Sequence, residues 1–131
     1  MQDFAMTTSG PPLGLRVLIV EDEFLIGEAI ALSVEGCGCR PVGPAMRVSE
    51  AMQLLDAEMI DCALLDVNLG DETSAPIAGV LRGKRIPFAV LSGYAKEAPV
   101  SNPYDDAPWL LKPVQDDALR SVLARFKATV R

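Results

Sequence analysis

The chain has 131 residues, half of them hydrophobic, and a net charge of −6, which suits one domain with a sizeable core. This acidity argues against a nucleic-acid-binding protein, which would present a basic face. No apolar run is long enough to span a membrane. Residues 1–14 are small and polar and lack the basic start and apolar centre of a secretory signal. We therefore predict a disordered lead-in at 1–14 and one domain over 15–131.

Strands and helices are predicted to alternate along the domain. The apolar run 15–20 is typical of a strand buried on both faces, and helically spaced apolar residues predict a helix over 24–34 that Gly36 ends. The further predicted elements are a weak strand at 41–43, a helix capped by Ser49, a strand at 62–65, a helix at 75–82, strands at 87–91 and 109–111, and a helix at about 115–129. Such alternation implies an α/β fold, a doubly wound parallel sheet covered by helices on both faces.

Polar side chains follow the apolar strands at the points where these strands end. They are Glu21, Asp22 and Glu23 after the first strand, Asp66 and Asn68 after the third, Ser92 after the fourth and Lys112 after the fifth. In a parallel sheet, ligands gather beyond the carboxyl ends of the strands. Each residue alone is typical of a helix cap, a turn or a solvated surface. Turn chemistry does not explain the whole series, so we expect these side chains to form one site.

The composition of this set predicts a metal site and phosphoryl transfer. Carboxylates that share a pocket cannot all stay ionised without a cation, and oxygen ligands are those that Mg²⁺ prefers. Asp66 is the best candidate nucleophile, because it ends the most apolar strand near the centre of the sheet. Lys112 and the metal would neutralise the phosphoryl oxygens, and the Ser92 hydroxyl would donate a hydrogen bond to them.

The runs VLIVEDE, DCALLDVNL, AVLSGYA and WLLKP, in this order, resemble the receiver domain of bacterial two-component response regulators. The resemblance covers about residues 15–130. It implies a flavodoxin-like fold, a five-stranded parallel sheet of order 2-1-3-4-5 with helices on both faces.

By position, the resemblance implies that Asp66 is the phospho-accepting aspartate. It implies that Asp22, Asp66 and the backbone carbonyl of Asn68 are direct magnesium ligands and that Glu21 acts through water. It also implies that Ser92 follows the phosphoryl group and that Lys112 pairs with it. The resemblance also implies a cis bond between Lys112 and Pro113. Glu23 matches no site position and is expected in the first turn of the following helix.

One segment departs from the common pattern of the family. Residues 93–106 contain Pro99 and Pro103, and Pro108 follows, so we expect the fourth helix of the family to be reduced or absent. Together with Pro87-Phe88-Ala89 and Ser92-Gly93-Tyr94, this segment resembles the atypical receivers that carry a Phe-Ala-Thr-Gly-x-Tyr run, although Leu91-Ser92 here replaces Ala-Thr. We expect 93–106 to be the most mobile part of the fold. Either Trp109 or Tyr94 would be the ring that moves on phosphorylation.

The resemblance also implies partners and a location. A histidine kinase or histidine phosphotransfer protein would donate the phosphoryl group, and a downstream protein would receive the signal, without direct contact to nucleic acid or membrane. The protein would be cytoplasmic and would not be an enzyme beyond its own phosphorylation and autodephosphorylation. Because no output domain is evident in the 131 residues, we expect a single-domain regulator.

Alternatives from other classes stay open on the sequence. A phosphorylation-independent adaptor would keep the fold without the chemistry. A metal-dependent phosphatase would need a second acid where Asn68 lies, and a flavodoxin-type cofactor module would place a phosphate loop where this chain has acids that repel phosphate. Cys37, Cys39 and Cys62 form neither a CxxC pair nor a disulfide framework, so we expect three free thiols.

Overall fold

A computed structural model describes residues 10–93 and 103–130 of the chain. All the predicted strands and helices are present in it. The elements are β1 (Arg16–Val20), α1 (Phe24–Gly36), β2 (Arg40–Ala45), α2 (Val48–Ala57), β3 (Cys62–Asp66), β4 (Asn68–Leu69), β5 (Glu72–Thr73), α3 (Ala75–Gly83), β6 (Phe88–Ser92), β7 (Trp109–Leu111) and α4 (Asp116–Thr129).

Five of the strands form a parallel sheet of order β2-β1-β3-β6-β7. Without the small β4–β5 hairpin this is the predicted order 2-1-3-4-5, so the flavodoxin-like fold is confirmed. β1 and β3 lie side by side at the centre, with Ile19 opposite Leu64 and Val20 opposite Leu65. The carboxyl ends of these two strands therefore meet at one edge of the sheet.

The sheet divides the core into two layers. Ile19 and Leu64 pack with side chains of α1 and α4 on one face, whereas Leu18 and Leu65 pack with side chains of α2 and α3 on the other. Successive residues of a strand point to opposite faces, and here both faces are covered. This explains why β1 and β3 are continuously apolar in sequence instead of alternating.

Two local features differ from the prediction. Ser49 does not cap α2, because the N-cap residue is Arg47 and the first helical N–H, that of Val48, donates to the Glu72 carboxylate at 3.1 Å. Glu72 belongs to the β4–β5 hairpin, which the sequence did not predict, since two-residue strands are too short to show a periodic pattern. Gly70 turns this hairpin with a positive φ of 73°, which glycine adopts without steric cost.

The segment between β6 and β7 is described at Gly93 and at 103–108, and no helix lies in those described residues. This fits the expected reduction of the fourth helix. Tyr94 and the remainder of the predicted mobile segment, 94–102, lie outside the described residues. Trp109 is half-buried on β7 and packs against the core layer of α2 and α3.

The described part of the predicted lead-in lies against the domain. The backbone N–H groups of Leu13 and Gly14 donate to the carbonyl oxygens of Cys37 and Gly38 at 3.0 and 2.8 Å. Residues 1–9 lie outside the described residues. Cys37, Cys39 and Cys62 are buried, and none of them forms a disulfide with another described residue. In the described ranges, no helix has the length and apolar character needed to cross a membrane.

The packing predicts a large cost for a cavity at the centre of the sheet. Leu64 is fully buried, whereas the side chain of Leu32 is 67% exposed. Leu64→Ala should lower the free energy of unfolding by about 2–5 kcal/mol, and the matched control Leu32→Ala should change it by less than about 0.5 kcal/mol. Urea unfolding followed by far-ultraviolet circular dichroism measures both values. Equal losses in the two variants would contradict the layer assignment.

Candidate functional site

Three predicted acids meet beyond the carboxyl ends of β1 and β3. Glu21 and Asp22 follow the last residue of β1, and Asp66 ends β3. One carboxylate oxygen from each of the three residues lies within 4.8 Å of the other two. Oxygen donors at this spacing suit a hard divalent cation such as Mg²⁺, which uses few protein ligands and keeps several waters. The structure thus brings together the acids that the sequence placed on different strands.

Lys112 supplies a positive charge between two of these acids. Its Nζ atom donates to Glu21 Oε1 and to Asp66 Oδ2, each at 2.9 Å. Lys112 follows the edge strand β7, and its backbone N–H donates to the carbonyl oxygen of Ser92 at 2.7 Å. The long side chain crosses the end of β6 to reach β3 and β1. The Lys112–Pro113 bond is cis, as the resemblance implied.

Glu21 is fully buried, and both of its carboxylate oxygens accept hydrogen bonds. Oε1 accepts from Lys112, and Oε2 accepts from the backbone N–H of Glu23 at 3.1 Å. Burial raises the pKa of Glu21 and the charge of Asp66 adds to this, whereas the two hydrogen bonds oppose it. The buried carboxylate therefore holds a proton more readily than a solvated one.

The two carboxylates keep Lys112 charged. Burial alone would lower the pKa of Lys112, but the hydrogen bonds and charges of Asp66 and Glu21 outweigh burial and raise this pKa. An ammonium that pairs with two acids is better stabilised than one that is only removed from water. The site therefore contains a fixed cation beside Asp66.

The other predicted residues lie around Asp66. The backbone N–H of Asn68 donates to Asp66 Oδ1 at 3.3 Å, while the residue itself is exposed. Ser92 ends β6 and, with Asp22, Asp66 and Lys112, lines an open cavity of about 840 Å³. Glu23 is the N-cap residue of α1 and is exposed at the rim of this cavity. Its backbone N–H, which donates to Glu21, is a contact that sequence reasoning missed.

Known proteins similar to this chain identify its fold and family. No family model matches the chain. The structure is similar to the solution structure of SdrG from Sphingomonas melonis Fr1, at 35% identity and a TM-score of 0.74, over 88% of this chain and 98% of that one. It is also similar to the BeF₃-activated conformation of SdrG, from Pseudomonas melonis Fr1, at 37% identity and a TM-score of 0.71, over 85% of this chain and 95% of that one.

A CheY-like response regulator receiver domain from Methylobacillus flagellatus, 22% identical, shares the fold with a TM-score of 0.75 over 86% of this chain and 98% of that one. The chain belongs to the response regulator receiver domains. This receiver domain is also similar to the sensory transduction protein LytT of Bacillus cereus, at 27% identity over 116 residues. The matched region covers 86% of this chain and 47% of LytT. The chain thus spans about half the length of the curated relatives it matches.

The burial of Glu21 predicts how the stability of the metal-free receiver domain depends on pH. Because folding raises the pKa of Glu21, the folded state binds its proton more tightly than the unfolded chain does. This contribution to stability is complete below the ordinary pKa of 4.5 and is lost as the pH rises through the raised folded pKa. The stability of Glu21→Gln relative to the native protein should therefore increase from about pH 4 to about pH 7.

Urea unfolding in the presence of a chelator measures this difference at each pH. Glu23→Gln is the matched control, because the Glu23 side chain is exposed two residues away. The free energy of unfolding of this control should change with pH in the same way as that of the native protein. A difference between Glu21→Gln and the native protein that stays constant with pH would contradict the predicted effect of burial.

Proposed function

We propose that this receiver domain accepts a phosphoryl group on Asp66 in the presence of Mg²⁺ and signals by changing the surface that it offers to a partner protein. The observation that carries the proposal is that Asp66 belongs to a cluster of acids and also pairs with a fixed ammonium. Asp66 belongs to the group of three carboxylates, and its Oδ2 atom accepts from Lys112 at 2.9 Å.

The donor set fits a magnesium ion. We propose Asp22, Asp66 and the backbone carbonyl of Asn68 as direct ligands, with Glu21 acting through water. The Glu21 carboxylate already accepts two hydrogen bonds within the protein, which suits an indirect role. When bound, Mg²⁺ would offset the charge of the acids and of the incoming phosphoryl oxygens.

The reaction then needs few further groups. A carboxylate oxygen of Asp66 attacks phosphorus, the new O–P bond forms, and the bond from phosphorus to the donor group breaks in line with it. Lys112 neutralises a phosphoryl oxygen, and the Ser92 hydroxyl donates a hydrogen bond to another. We assign no other chemistry to the protein than this self-phosphorylation and the later hydrolysis of the aspartyl phosphate.

The proposed donor is a histidine kinase or a histidine phosphotransfer protein, with a downstream protein partner in the cytoplasm. The cavity beside Asp66 continues along apolar side chains of α1, including Leu25, whose side chain is 79% exposed. An exposed apolar group beside the acceptor suits contact with a protein donor. Activation of the similar protein SdrG by BeF₃ supports a response to a phosphoryl mimic here.

Replacement of the acceptor tests the proposal. With Mg²⁺ and acetyl phosphate, the native protein should gain one phosphoryl group that is stable in acid and labile in base, measured by intact-protein mass spectrometry. Asp66→Asn should gain none and keep the native circular dichroism spectrum. Asp71→Asn is the matched control, because Asp71 is an exposed acid of the neighbouring hairpin turn. Equal uptake by Asp66→Asn and the native protein would exclude Asp66 as the acceptor.

Replacement of a ligand tests the metal site. Asp22→Ala should weaken magnesium binding about tenfold, or about 1.4 kcal/mol, because a direct carboxylate ligand is lost. Without metal, its stability should equal or exceed that of the native protein, since repulsion among the acids is relieved. Glu23→Ala should bind Mg²⁺ like the native protein. Isothermal titration calorimetry measures the affinities, and native affinity in Asp22→Ala would remove Asp22 from the site.

A further inference from the structure

Two buried hydroxyl groups are hydrogen-bonded behind the loop that follows Asp66. Ser74 Oγ and Tyr104 Oη lie 2.9 Å apart, and both side chains are buried. Ser74 comes directly before α3, whereas Tyr104 lies in the connection between β6 and β7. A buried hydroxyl that loses its partner pays the full cost of its lost hydration, so each residue depends on the other.

Ser74 does not use its hydroxyl in the usual way for its position. It is the N-cap residue of α3, where a serine side chain normally accepts a hydrogen bond from a backbone N–H of the first turn. Here the side chain makes no capping hydrogen bond. The N–H of Ala75 donates instead to Thr73 Oγ1, at 3.4 Å. The Ser74 hydroxyl is thus directed away from the helix and toward Tyr104.

The backbone of Ser74 closes the loop that carries the proposed site. Its N–H donates at 2.9 Å to the carbonyl oxygen of Val67, the residue directly after Asp66. The hairpin between these two residues has strands of only two residues, and so small a hairpin is not stable alone. Its placement beside Asp66 therefore depends on outside contacts, of which Ser74 is one and the bond from Val48 to Glu72 another.

Tyr104 is itself held in place from α3 and from its own segment. The Arg82 guanidinium donates to the carbonyl oxygens of Pro103 and Asp105, on either side of Tyr104, and lies over the Phe88 ring at 5.2 Å. The N–H of Ala107 donates to the Tyr104 carbonyl oxygen at 3.1 Å. The tyrosine is thus a fixed support for Ser74.

The Tyr104 hydroxyl is also within electrostatic reach of the proposed acceptor. Burial raises the pKa of Tyr104, the hydrogen bond with Ser74 opposes this, and the negative charge of Asp66 raises it further. The hydroxyl therefore stays protonated and can donate at neutral pH.

We infer that Tyr104 is a positioning residue for the phosphoryl-accepting loop. Its hydroxyl fixes Ser74, and Ser74 fixes Val67 and with it the neighbouring carbonyl of Asn68, the proposed magnesium ligand. The inference rests on the proposed function of Asp66 and adds a residue to it. Because coupling between two sites is reciprocal, occupation of the phosphorylation site also acts on the segment that carries Tyr104.

The test uses variants that remove one or both hydroxyl groups and keep the rest of each side chain. Tyr104→Phe and Ser74→Ala should each weaken magnesium binding and slow phosphorylation by acetyl phosphate. We expect a loss of about tenfold, at the low end of the range typical of residues that orient metal ligands without binding the metal. The double variant should bind Mg²⁺ no more weakly, and become phosphorylated no more slowly, than the more impaired of the two single variants, since both changes break the same hydrogen bond. Thr129→Ala is the matched control, because its hydroxyl bonds to the Phe126 carbonyl at the end of α4.

A second readout separates positioning from a general loss of stability. Beryllium fluoride with Mg²⁺ should increase the hydrogen-exchange protection of the amides at 104–107 in the native protein, and Tyr104→Phe should abolish this increase. Should Tyr104→Phe fold poorly, Ser74→Ala provides the same comparison from the other side of the bond. A variant that is less stable but has native magnesium affinity, native phosphorylation rate and an unchanged exchange response would show that the pair only supports the core, and would overturn the inference.

The outcomes distinguish this inference from the proposed function. Absence of phosphoryl uptake by the native protein would refute the function of Asp66, whatever the variants do. Uptake by the native protein with unchanged binding and rates in both Tyr104→Phe and Ser74→Ala would refute only the role of Tyr104.

Discussion

The ammonium of Lys112 between Glu21 and Asp66 is the interaction on which the arrangement of this receiver domain depends. Acids at the ends of buried strands are costly unless a positive charge lies near them, and here Nζ lies 2.9 Å from an oxygen of each. The order of the sheet makes this possible, because β6 separates β3 from β7 by one strand and a lysine side chain can cross that distance. The strand order of the sheet therefore also determines the charge balance of the site.

The same arrangement leaves part of the negative charge for a metal to balance. Three carboxylates converge within 4.8 Å while one lysine pairs with two of them. Burial raises the pKa of Glu21 even though Lys112 donates a hydrogen bond to it. We propose that a divalent cation balances the remaining negative charge of this cluster, and such a cation would favour the approach of a phosphoryl group to Asp66. The electrostatics of the metal-free protein thus support the proposed chemistry.

Much of this could be predicted from the sequence, since it follows from local pattern. The apolar strands, the polar residues at their ends and the parallel sheet all depend on the periodicity and chain order of nearby residues. What the sequence did not predict depends on contacts between distant residues. Ser49 has the right chemistry for a cap, but the N–H of Val48 bonds to Glu72, 24 positions away.

Tyr104 illustrates the same limit. It lies among prolines in a segment with few apolar residues, and this pattern gave no sign of a buried ring. In the structure the ring is buried and its hydroxyl bonds to Ser74, while the predicted mobility of 93–106 stays a prediction. No local pattern reveals a partner 30 positions away. The cis bond between Lys112 and Pro113 could not be predicted from these residues alone, and only the family resemblance implied it.

The most direct test of the account is to locate the phosphoryl group chemically. Borohydride reduces an aspartyl phosphate to homoserine, which tandem mass spectrometry of peptides assigns to one residue. After treatment of the native protein with Mg²⁺ and acetyl phosphate, we expect homoserine at position 66. Homoserine at position 22, the one-carbon-longer product 2-amino-5-hydroxypentanoic acid at position 21, or no reduced acid at any position would contradict the assignment of Asp66 as the acceptor.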